Sequence, residues 1–218
     1  MSEYIDPAQF VITRKRKKYK FAKFHNAENC YEFGEWTSRP VDIVEIGAGD
    51  GRFSVELAAR HPEQHVVALD VKADRLQKGA YDAIEQTLTN IVFVRARADQ
   101  INELFAPSSI STIWLTFSDP FPRARSAGRR LTHPSFLRKY AAVLRPRGRL
   151  LIKHDNPDFF QWTLEQLVAE KWQINEISFD LHESELNDEY KLLTGYEQRW
   201  LSEGRTSMFV AATPSNVQ

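Results

Sequence analysis

The feature that most constrains this sequence is a regular alternation of short apolar runs with amphipathic stretches, which begins at Val41. The period of each stretch predicts its secondary structure. Strands are predicted at 41–46, 65–70, 91–94, 111–117 and 149–154, and helices at 51–60, 73–87, 134–144 and 157–170. Because the strands are apolar on both faces, the alternation predicts an α/β fold with a doubly wound, mostly parallel sheet.

The remainder of the chain predicts how this sheet is completed. A strand is predicted near 173–179, a short helix near 194–203 and a last strand at 207–212, which together give seven strands and a C-terminal antiparallel strand. A length of 218 residues suits one domain. Residues 1–40 are basic, aromatic and without clear periodicity, so we predict an N-terminal arm at 1–40 and a single domain at 41–218.

The charges are balanced in number but separated in position. The chain has 29 basic and 29 acidic residues, yet seven Lys or Arg fall within 14–23, and ten fall within 121–153 without one acid. A neutral protein with this distribution can still present a positive face to a nucleic acid. Tyr19, Phe21 and Phe24 lie among the lysines, which suits RNA phosphate and base contacts. A disordered solubilising tail is an equal alternative.

The sequence also argues against several other classes of protein. Cys30 is the single cysteine, which excludes an internal disulfide and argues against a structural zinc site. No apolar run has the length needed to cross a bilayer, and the first residues do not resemble a signal peptide. We therefore expect a cytoplasmic protein with no membrane and no metal partner. Its oligomeric state, monomer or homodimer, stays open.

A strand that leads into three alternating glycines predicts a ligand site. Gly47, Gly49 and Gly51 follow the first apolar run, and a helix is predicted directly after them. Glycine accepts a positive φ and lets the backbone approach a ligand at the carboxyl end of a strand. Asp70 ends the next predicted strand, nineteen residues after Gly51. Its carboxylate is placed to accept both ribose hydroxyls of an adenosine.

The spacing of the glycines favours S-adenosylmethionine over a nicotinamide cofactor. A nicotinamide site normally has glycine three positions after the second glycine, where this chain has Arg52. Glu45 is an acid in an otherwise apolar strand, which is costly unless it holds loop amides or the ammonium of the cofactor. The alternative is an ordinary strand, turn and helix with a buried acid.

A second motif follows the fourth predicted strand. Asp119-Pro120-Phe121-Pro122 is followed by four arginines, Arg123, Arg125, Arg129 and Arg130. This edge of the sheet is where a transferable methyl group should face its acceptor. Taken separately, the arginines could be a solvated loop and Asp119 a turn cap.

At these residues the sequence resembles the bacterial tRNA (guanine-N7)-methyltransferase family, over roughly 41–213. Four motifs carry the resemblance, and they are 45–51, Asp119 to Pro122 with the Arg129-Arg130 pair, His154-Asp155, and Thr194-x-x-Glu197. It implies a Rossmann-like class I methyltransferase fold, S-adenosylmethionine as cofactor, and tRNA as the partner, methylated at N7 of a variable-loop guanine.

The resemblance also implies roles for individual residues. Cofactor binding is expected of Glu45, Gly47, Gly49, Gly51, Asp70, Arg97, Ala98 and Asp119, with Asp119 also catalytic. Substrate binding is expected of Arg123, Asp155, Thr194 and Glu197. The sequence departs from the family at Arg97-Ala98, where relatives have Asp-Ala facing the adenine. It also has Phe121 for a tryptophan and Ser118 for a proline.

The chemistry of guanine N7 needs positioning more than proton transfer. N7 has a lone pair and no proton, so displacement of a methyl group from a sulfonium needs no general base. A carboxylate that accepts from N1–H and N2–H would select guanine and stabilise the developing positive charge. Asp119, Asp155 and Glu197 are the candidates. His133 and His154 are expected to be structural.

Two other functions remain open from the residues alone. An exocyclic-amine methyltransferase acting on nucleic acid or protein is suggested by Asp-Pro-Phe, although the motif lacks a second adjacent proline. A non-catalytic RNA-binding module with a degraded cofactor pocket is suggested by Arg97. The affinity for S-adenosylmethionine would distinguish these two functions, because a methyltransferase must bind the cofactor and a module with a degraded pocket would not.

Overall fold

The computed structural model describes residues 4–9 and 15–215, which form two compact units divided at Gln100. The helices and strands of the first unit are α1 (Lys15–Asn26), β1 (Cys30–Glu32), β2 (Ile43–Ile46), α2 (Arg52–Arg60), β3 (Val66–Asp70), α3 (Ala73–Glu85) and β4 (Ile91–Arg95). Single 3-10 turns occur at Pro7–Gln9, Phe33–Glu35 and Ala98–Gln100.

The four strands of the first unit are all parallel, in the order β1-β4-β3-β2. Their central side chains, such as Val44, Leu69 and Phe93, are fully buried. Because parallel strands end at the same edge, the residues that follow β2, β3 and β4 lie along one edge of this unit.

The segment predicted as an arm contains regular structure. Helix α1 contacts α3 and buries Ala22 and Phe24, and β1 pairs with β4 through Cys30 and Phe93. A disordered tail is therefore wrong for Lys15–Glu32. The sequence did not predict α1 because the helix has few apolar side chains among its lysines, too few for a clear period. Arg14, at the start of the basic run, lies outside the described residues. The division into a 1–40 arm and a 41–218 domain stays a prediction.

The second unit contains the remaining helices and strands. They are α4 (Ile101–Leu104), β5 (Ile110–Thr116), α5 (Pro134–Val143), β6 (Leu144–His154), α6 (Pro157–Ala169), β7 (Trp172–Ser178), α7 (Glu197–Leu201) and β8 (Met208–Pro214). Helices α5 and α6 each begin directly after a residue whose side chain accepts a hydrogen bond from a backbone amide of the first turn. His133 accepts from Ser135 N and Asn156 accepts from Phe159 N, each with proline at the next position.

The strands of the second unit lie in the order β5-β6-β8-β7. Strand β5 is parallel to β6, and β8 lies between β6 and β7, antiparallel to both. The α/β class and the antiparallel C-terminal strand are thus confirmed. The described residues contain eight strands rather than seven because β1 adds one. Strand β6 begins at Leu144, five residues earlier than predicted, through a pairing of Leu144 with Ile110 across a bulge.

No helix in the described part of the chain is long and apolar enough to span a membrane.

Candidate functional site

The glycine loop after β2 has the backbone conformation that its sequence predicts. Gly47, Gly49 and Gly51 have φ of 79°, 61° and 74°, all in the left-handed region. The amides of Gly47 and Ala48 both donate to Leu69 O, at 2.8 and 3.0 Å, and so fasten the loop to the end of β3. A Cβ on Gly51 would lie 2.6 Å from the Phe93 ring. The loop therefore needs glycine for both conformation and packing.

Gly49 differs from Gly51 in what surrounds it. Apart from Gly49 itself and its two chain neighbours, no described atom lies within 4 Å of the place where a Cβ of Gly49 would stand. The positive φ, rather than a neighbouring side chain, is what makes glycine necessary at this position. The open space beside Gly49 fits the close approach of a ligand to the loop.

Asp70 fixes this loop with both carboxylate oxygens. Its Oδ2 accepts from Gly49 N at 2.9 Å, and its Oδ1 accepts from Lys72 N at 2.8 Å. Because each carboxylate oxygen can accept two hydrogen bonds, Asp70 keeps capacity for ribose hydroxyls. The predicted ribose role stays a prediction, and the hold on the loop is an additional role that the sequence did not show.

Glu45 is buried, with 1 % exposure, and accepts a hydrogen bond from Ser54 Oγ at 2.5 Å. Ser54 belongs to α2, so the bond ties β2 to the helix that follows the glycine loop. The predicted contacts of Glu45 with loop amides or with an ammonium stay predictions. Sequence reasoning missed Ser54, whose only signal is a hydroxyl in the first turn of an otherwise apolar helix face.

Gly79 is a second residue that sequence reasoning missed. It lies in α3, where its amide donates to Asp50 O at 2.9 Å. A Cβ there would lie 2.7 Å from the same oxygen. Glycine inside a helix costs about 0.5–1 kcal/mol relative to alanine, and this cost is the only sequence signal of the close contact.

The Arg97-Ala98 pair occupies the edge after β4. The Arg97 side chain is exposed and forms a two-pronged ion pair with Asp99, with Nε–Oδ1 at 2.9 Å and Nη2–Oδ2 at 2.5 Å. Its amide donates to Gln100 Oε1 at 2.9 Å. The Arg97 guanidinium is thus paired with the neighbouring Asp99 carboxylate. The predicted contact of Arg97 and Ala98 with an adenine stays a prediction.

In the second unit, the loop after β5 is strained at both ends. Phe117 and Phe121 have φ of 47° and 40°, a conformation that costs an aromatic residue roughly 1–3 kcal/mol and is typical of functional loops. Between them lies Asp119, which is exposed. Within the described residues, no hydrogen bond or ion pair involves the Asp119 carboxylate. Its side chain is therefore presented to solvent from the strained loop.

The arginines after this loop have different surroundings. Arg130 donates to Pro120 O at 3.0 Å and to Phe121 O at 3.1 Å, and its guanidinium lies 4.3 Å from the Trp162 ring. Arg130 therefore holds the strained loop in place. Arg123 and Arg125 are exposed, which keeps Arg123 available for the predicted substrate contact.

His154, at the end of β6, is structural in this arrangement. Its Nδ1 accepts from Asn156 N at 2.9 Å, so Nε2 carries the proton and donates to Ser118 O, also at 2.9 Å. Burial lowers the pKa of His154, partly opposed by the bond to Ser118 and the charge of Asp155. The neutral ring thereby connects the loop after β5 to the loop after β6.

We expect this histidine to make stability depend on pH. Because its folded pKa lies below the ordinary value of 6.5, the unfolded state takes up the proton first as the pH falls. The contribution of His154 is complete above about pH 6.5 and is lost below it, at up to about 1.4 kcal/mol per pH unit. Urea unfolding at pH 7.5 and 5.5 should show a larger loss for the wild type than for His154→Gln. Equal losses would contradict the assignment.

Asp155 is largely enclosed by its neighbours. Tyr196 OH donates to Asp155 Oδ2 at 3.3 Å, and the Arg205 guanidinium lies 3.9 Å from the same oxygen. Burial, followed by the charge of Asp155, raises the pKa of Tyr196, so the hydroxyl keeps its proton at neutral pH. The sequence predicted Asp155 but neither of these partners.

The Thr194-x-x-Glu197 motif forms a reciprocal pair of hydrogen bonds at the start of α7. Glu197 N donates to Thr194 Oγ1 at 3.0 Å, and Thr194 N donates to Glu197 Oε2 at 3.2 Å. This is the geometry of a capping box, which explains why the two residues are separated by three positions.

Glu197 is also the centre of a buried charged network. Lys153 and Glu197 are 0 % and 1 % exposed, and Lys153 Nζ lies 2.6 Å from Glu197 Oε2 and 2.7 Å from Leu192 O. On the other side, Glu197 Oε1 lies 2.8 Å from His182 Nε2. Sequence reasoning missed Lys153 and His182, and a lysine within the apolar β6 was the one available signal.

Within each unit, the structure brings predicted site residues close to one another. In the second unit the loops after the parallel strands β5 and β6 share one edge, so Asp119 lies on the same edge as Asp155. Tyr196 connects Asp155 to the Thr194–Glu197 motif. In the first unit, Gly47, Gly49, Gly51 and Asp70 lie together. No group of His, Cys, Asp or Glu that could hold a metal occurs in 4–9 or 15–215.

Comparison with known proteins defines the class to which this fold and site belong. A family model described as a putative methyltransferase matches residues 39–210. Among solved structures, the 16S rRNA methyltransferase KamB superposes with a TM-score of 0.61 at 20 % identity, covering 84 % of this chain and 90 % of that one. The 16S rRNA (adenine(1408)-N(1))-methyltransferase of Catenulisporales acidiphilia gives 0.60 at 17 % identity, covering 100 % and 97 %. The fold is that of the Rossmann-like methyltransferases, and the chain is a methyltransferase.

Closer relatives identify the family. A tRNA (guanine-N(7)-)-methyltransferase of Brevibacillus brevis is 40 % identical, over 83 % of this chain and 86 % of the relative. Its counterpart in Lachnoclostridium phytofermentans is 35 % identical, over 93 % and 89 %. This protein belongs to the bacterial tRNA (guanine-N7)-methyltransferase family, as the four sequence motifs predicted.

Proposed function

We propose that this protein transfers a methyl group from S-adenosylmethionine to N7 of a guanine in tRNA. Family membership gives the reaction, and the observation that best supports it here is the shared edge of the second unit. There, an exposed carboxylate (Asp119) lies on the same edge as a second carboxylate (Asp155) and the Thr194–Glu197 motif. With tRNA as its partner, the protein is proposed to act in the cytoplasm.

The first unit has the features that an adenosine cofactor needs. The open space at Gly49 and the left-handed loop fit S-adenosylmethionine, which would be held by Glu45, Gly47, Gly49, Gly51 and Asp70. When bound, it supplies a methyl group activated by a positively charged sulfur. Arg97 and Ala98 are proposed at its adenine, and Asp119 is proposed as a further contact.

In the second unit, the proposed work of the side chains is to bind and orient the base. Asp119 and Asp155 are proposed to accept from N1–H and N2–H of guanine, and Arg123 to contact phosphate. Glu197 is a candidate through Oε1, which accepts from His182 and can accept a second bond. Thr194 would act by holding Glu197. No residue is needed to remove a proton from N7.

A direct test is incubation of the protein with unfractionated tRNA and methyl-labelled S-adenosylmethionine, followed by nucleoside mass spectrometry. We expect N7-methylguanosine as the labelled product. A label on an exocyclic amine would support the alternative methyltransferase instead. Cofactor binding with no label on any tRNA would contradict the proposal.

We also expect two substitutions in the first unit to weaken cofactor binding. Asp70→Ala removes a charged acceptor and should cost roughly 1.5–3 kcal/mol. Gly49→Val places a branched side chain at a φ of 61° and fills the open space beside the loop. Calorimetric titration with S-adenosylmethionine measures both, and Asp74→Ala in the first turn of α3 is the matched control. Unchanged affinity in both folded variants would remove this site.

A further inference from the structure

A row of aromatic side chains lies beside the proposed base-binding carboxylate Asp155. The Tyr196 ring makes tilted contacts with both Phe117 and Trp200, with centroid distances of 5.3 and 5.4 Å. Phe117 belongs to the strained loop that carries Asp119, and Trp200 is one helical turn beyond Tyr196. The three rings therefore connect the two parts of the edge that the proposed function uses.

Tyr196 is the most exposed member of this row. The exposed fraction of Tyr196 is 39 %. Its hydroxyl is nevertheless partly buried, and this burial, followed by the charge of Asp155, raises the pKa of Tyr196. Its ring thus has an accessible part while its hydroxyl is tied to Asp155 Oδ2 at 3.3 Å. An exposed ring held in this manner loses little conformational freedom when a ligand packs on it.

The neighbouring residues fix the position of this ring. Directly after Tyr196, Glu197 is anchored by Lys153, His182 and Thr194. At the other end, the Arg205 guanidinium lies 3.7 Å from the Trp200 ring and 3.9 Å from Asp155 Oδ2. Backbone and side chains on both sides therefore restrain the Tyr196 ring next to the carboxylate.

We propose that Tyr196 is the residue on which the target guanine stacks, and that its hydroxyl orients Asp155 toward the hydrogens on N1 and N2 of the same base. This inference rests on the proposed function. A base that has left its stack in RNA is held by packing on an aromatic face together with hydrogen bonds to its edge. Tyr196 and Asp155 offer these two contacts side by side, and the carboxylate favours guanine, which presents two donors on that edge.

The test separates the ring from the hydroxyl. Tyr196→Phe keeps the ring, and Tyr196→Leu removes the ring as well. We expect the single-turnover rate of tRNA methylation to fall about threefold to tenfold in the first variant. In the second it should fall about tenfold to a hundredfold, which is the order of magnitude of one base–aromatic stacking contact. Affinity for tRNA should change much less, because phosphate contacts dominate it.

A second measurement reports stacking itself. In a tRNA that carries 2-aminopurine at the methylated position, the fluorescence of this base should be quenched when it stacks on an aromatic ring. We expect brighter fluorescence in the complex with Tyr196→Leu than in the complexes with the wild type and Tyr196→Phe. Phe179→Leu is the matched control, because Phe179 is an aromatic residue with 65 % exposure on the same unit and outside the proposed site.

The outcomes distinguish this inference from the proposed function. If the wild type makes N7-methylguanosine and Tyr196→Leu matches it in rate and in fluorescence, the stacking role is wrong and the function stands. If the wild type methylates no tRNA, the function fails and the inference fails with it. Unchanged cofactor affinity and thermal unfolding of Tyr196→Phe show that its rate loss is not due to misfolding.

Discussion

Substitution of Asp119 with asparagine should lower the single-turnover rate of tRNA methylation roughly a hundredfold or more, comparable to removal of a preorganised electrostatic contact. The variant keeps the side-chain volume but replaces one acceptor oxygen with an amide that donates. If the carboxylate offsets charge that develops on the methylated base, the loss falls on turnover more than on binding. The measurement is single-turnover methylation at saturating cofactor, with tRNA affinity determined in parallel.

The structure predicts that Asp119→Asn changes the reaction rate without changing the stability of the protein. Asp119 is exposed, and within the described residues its carboxylate has no hydrogen bond or ion pair, so the substitution should leave the free energy of unfolding within about 0.5 kcal/mol. Asp188→Asn, on an aspartate whose side chain is 93 % exposed, is the matched control. A near-normal rate in Asp119→Asn would show that Asp119 is not catalytic.

Substitution of Lys153 with methionine should destabilise the protein by about 3–5 kcal/mol, because it leaves the buried Glu197 carboxylate without its cation. The two side chains are 0 % and 1 % exposed, so water cannot replace the lost partner. Methionine fills most of the volume of lysine, which limits the effect of a cavity. Urea unfolding at neutral pH measures the change in the free energy of unfolding.

Two further variants make the Lys153 test decisive. Lys171→Met changes an exposed lysine of the same unit and should stay within about 0.5 kcal/mol of the wild type. The double variant Lys153→Met with Glu197→Gln removes both charges, so it should be less destabilised than the sum of the single variants. A loss of less than about 1 kcal/mol in Lys153→Met would contradict a buried ion pair.

The sequence by itself determined the features that depend on neighbouring residues. The strand and helix periods predicted most elements to within one or two residues, and the glycines at 47, 49 and 51 predicted a left-handed loop. The resemblance to the family predicted Thr194 and Glu197 as a functional pair, and the structure shows the local reason for their spacing, the two reciprocal hydrogen bonds of a capping box. These features are readable because backbone conformation and hydrogen bonds within a few residues follow directly from side-chain type.

Tertiary structure alone decided which distant residues meet. Glu197 is 44 positions from Lys153, and Tyr196 is 41 positions from Asp155, so no local pattern could pair them. The insertion of β8 between β6 and β7, and the packing of α1 on α3, likewise depend on which surfaces are buried together. The physical reason is that burial selects partners across the chain. A lysine in an apolar strand shows that a counter-charge is needed, but only the packed structure determines which acid supplies it.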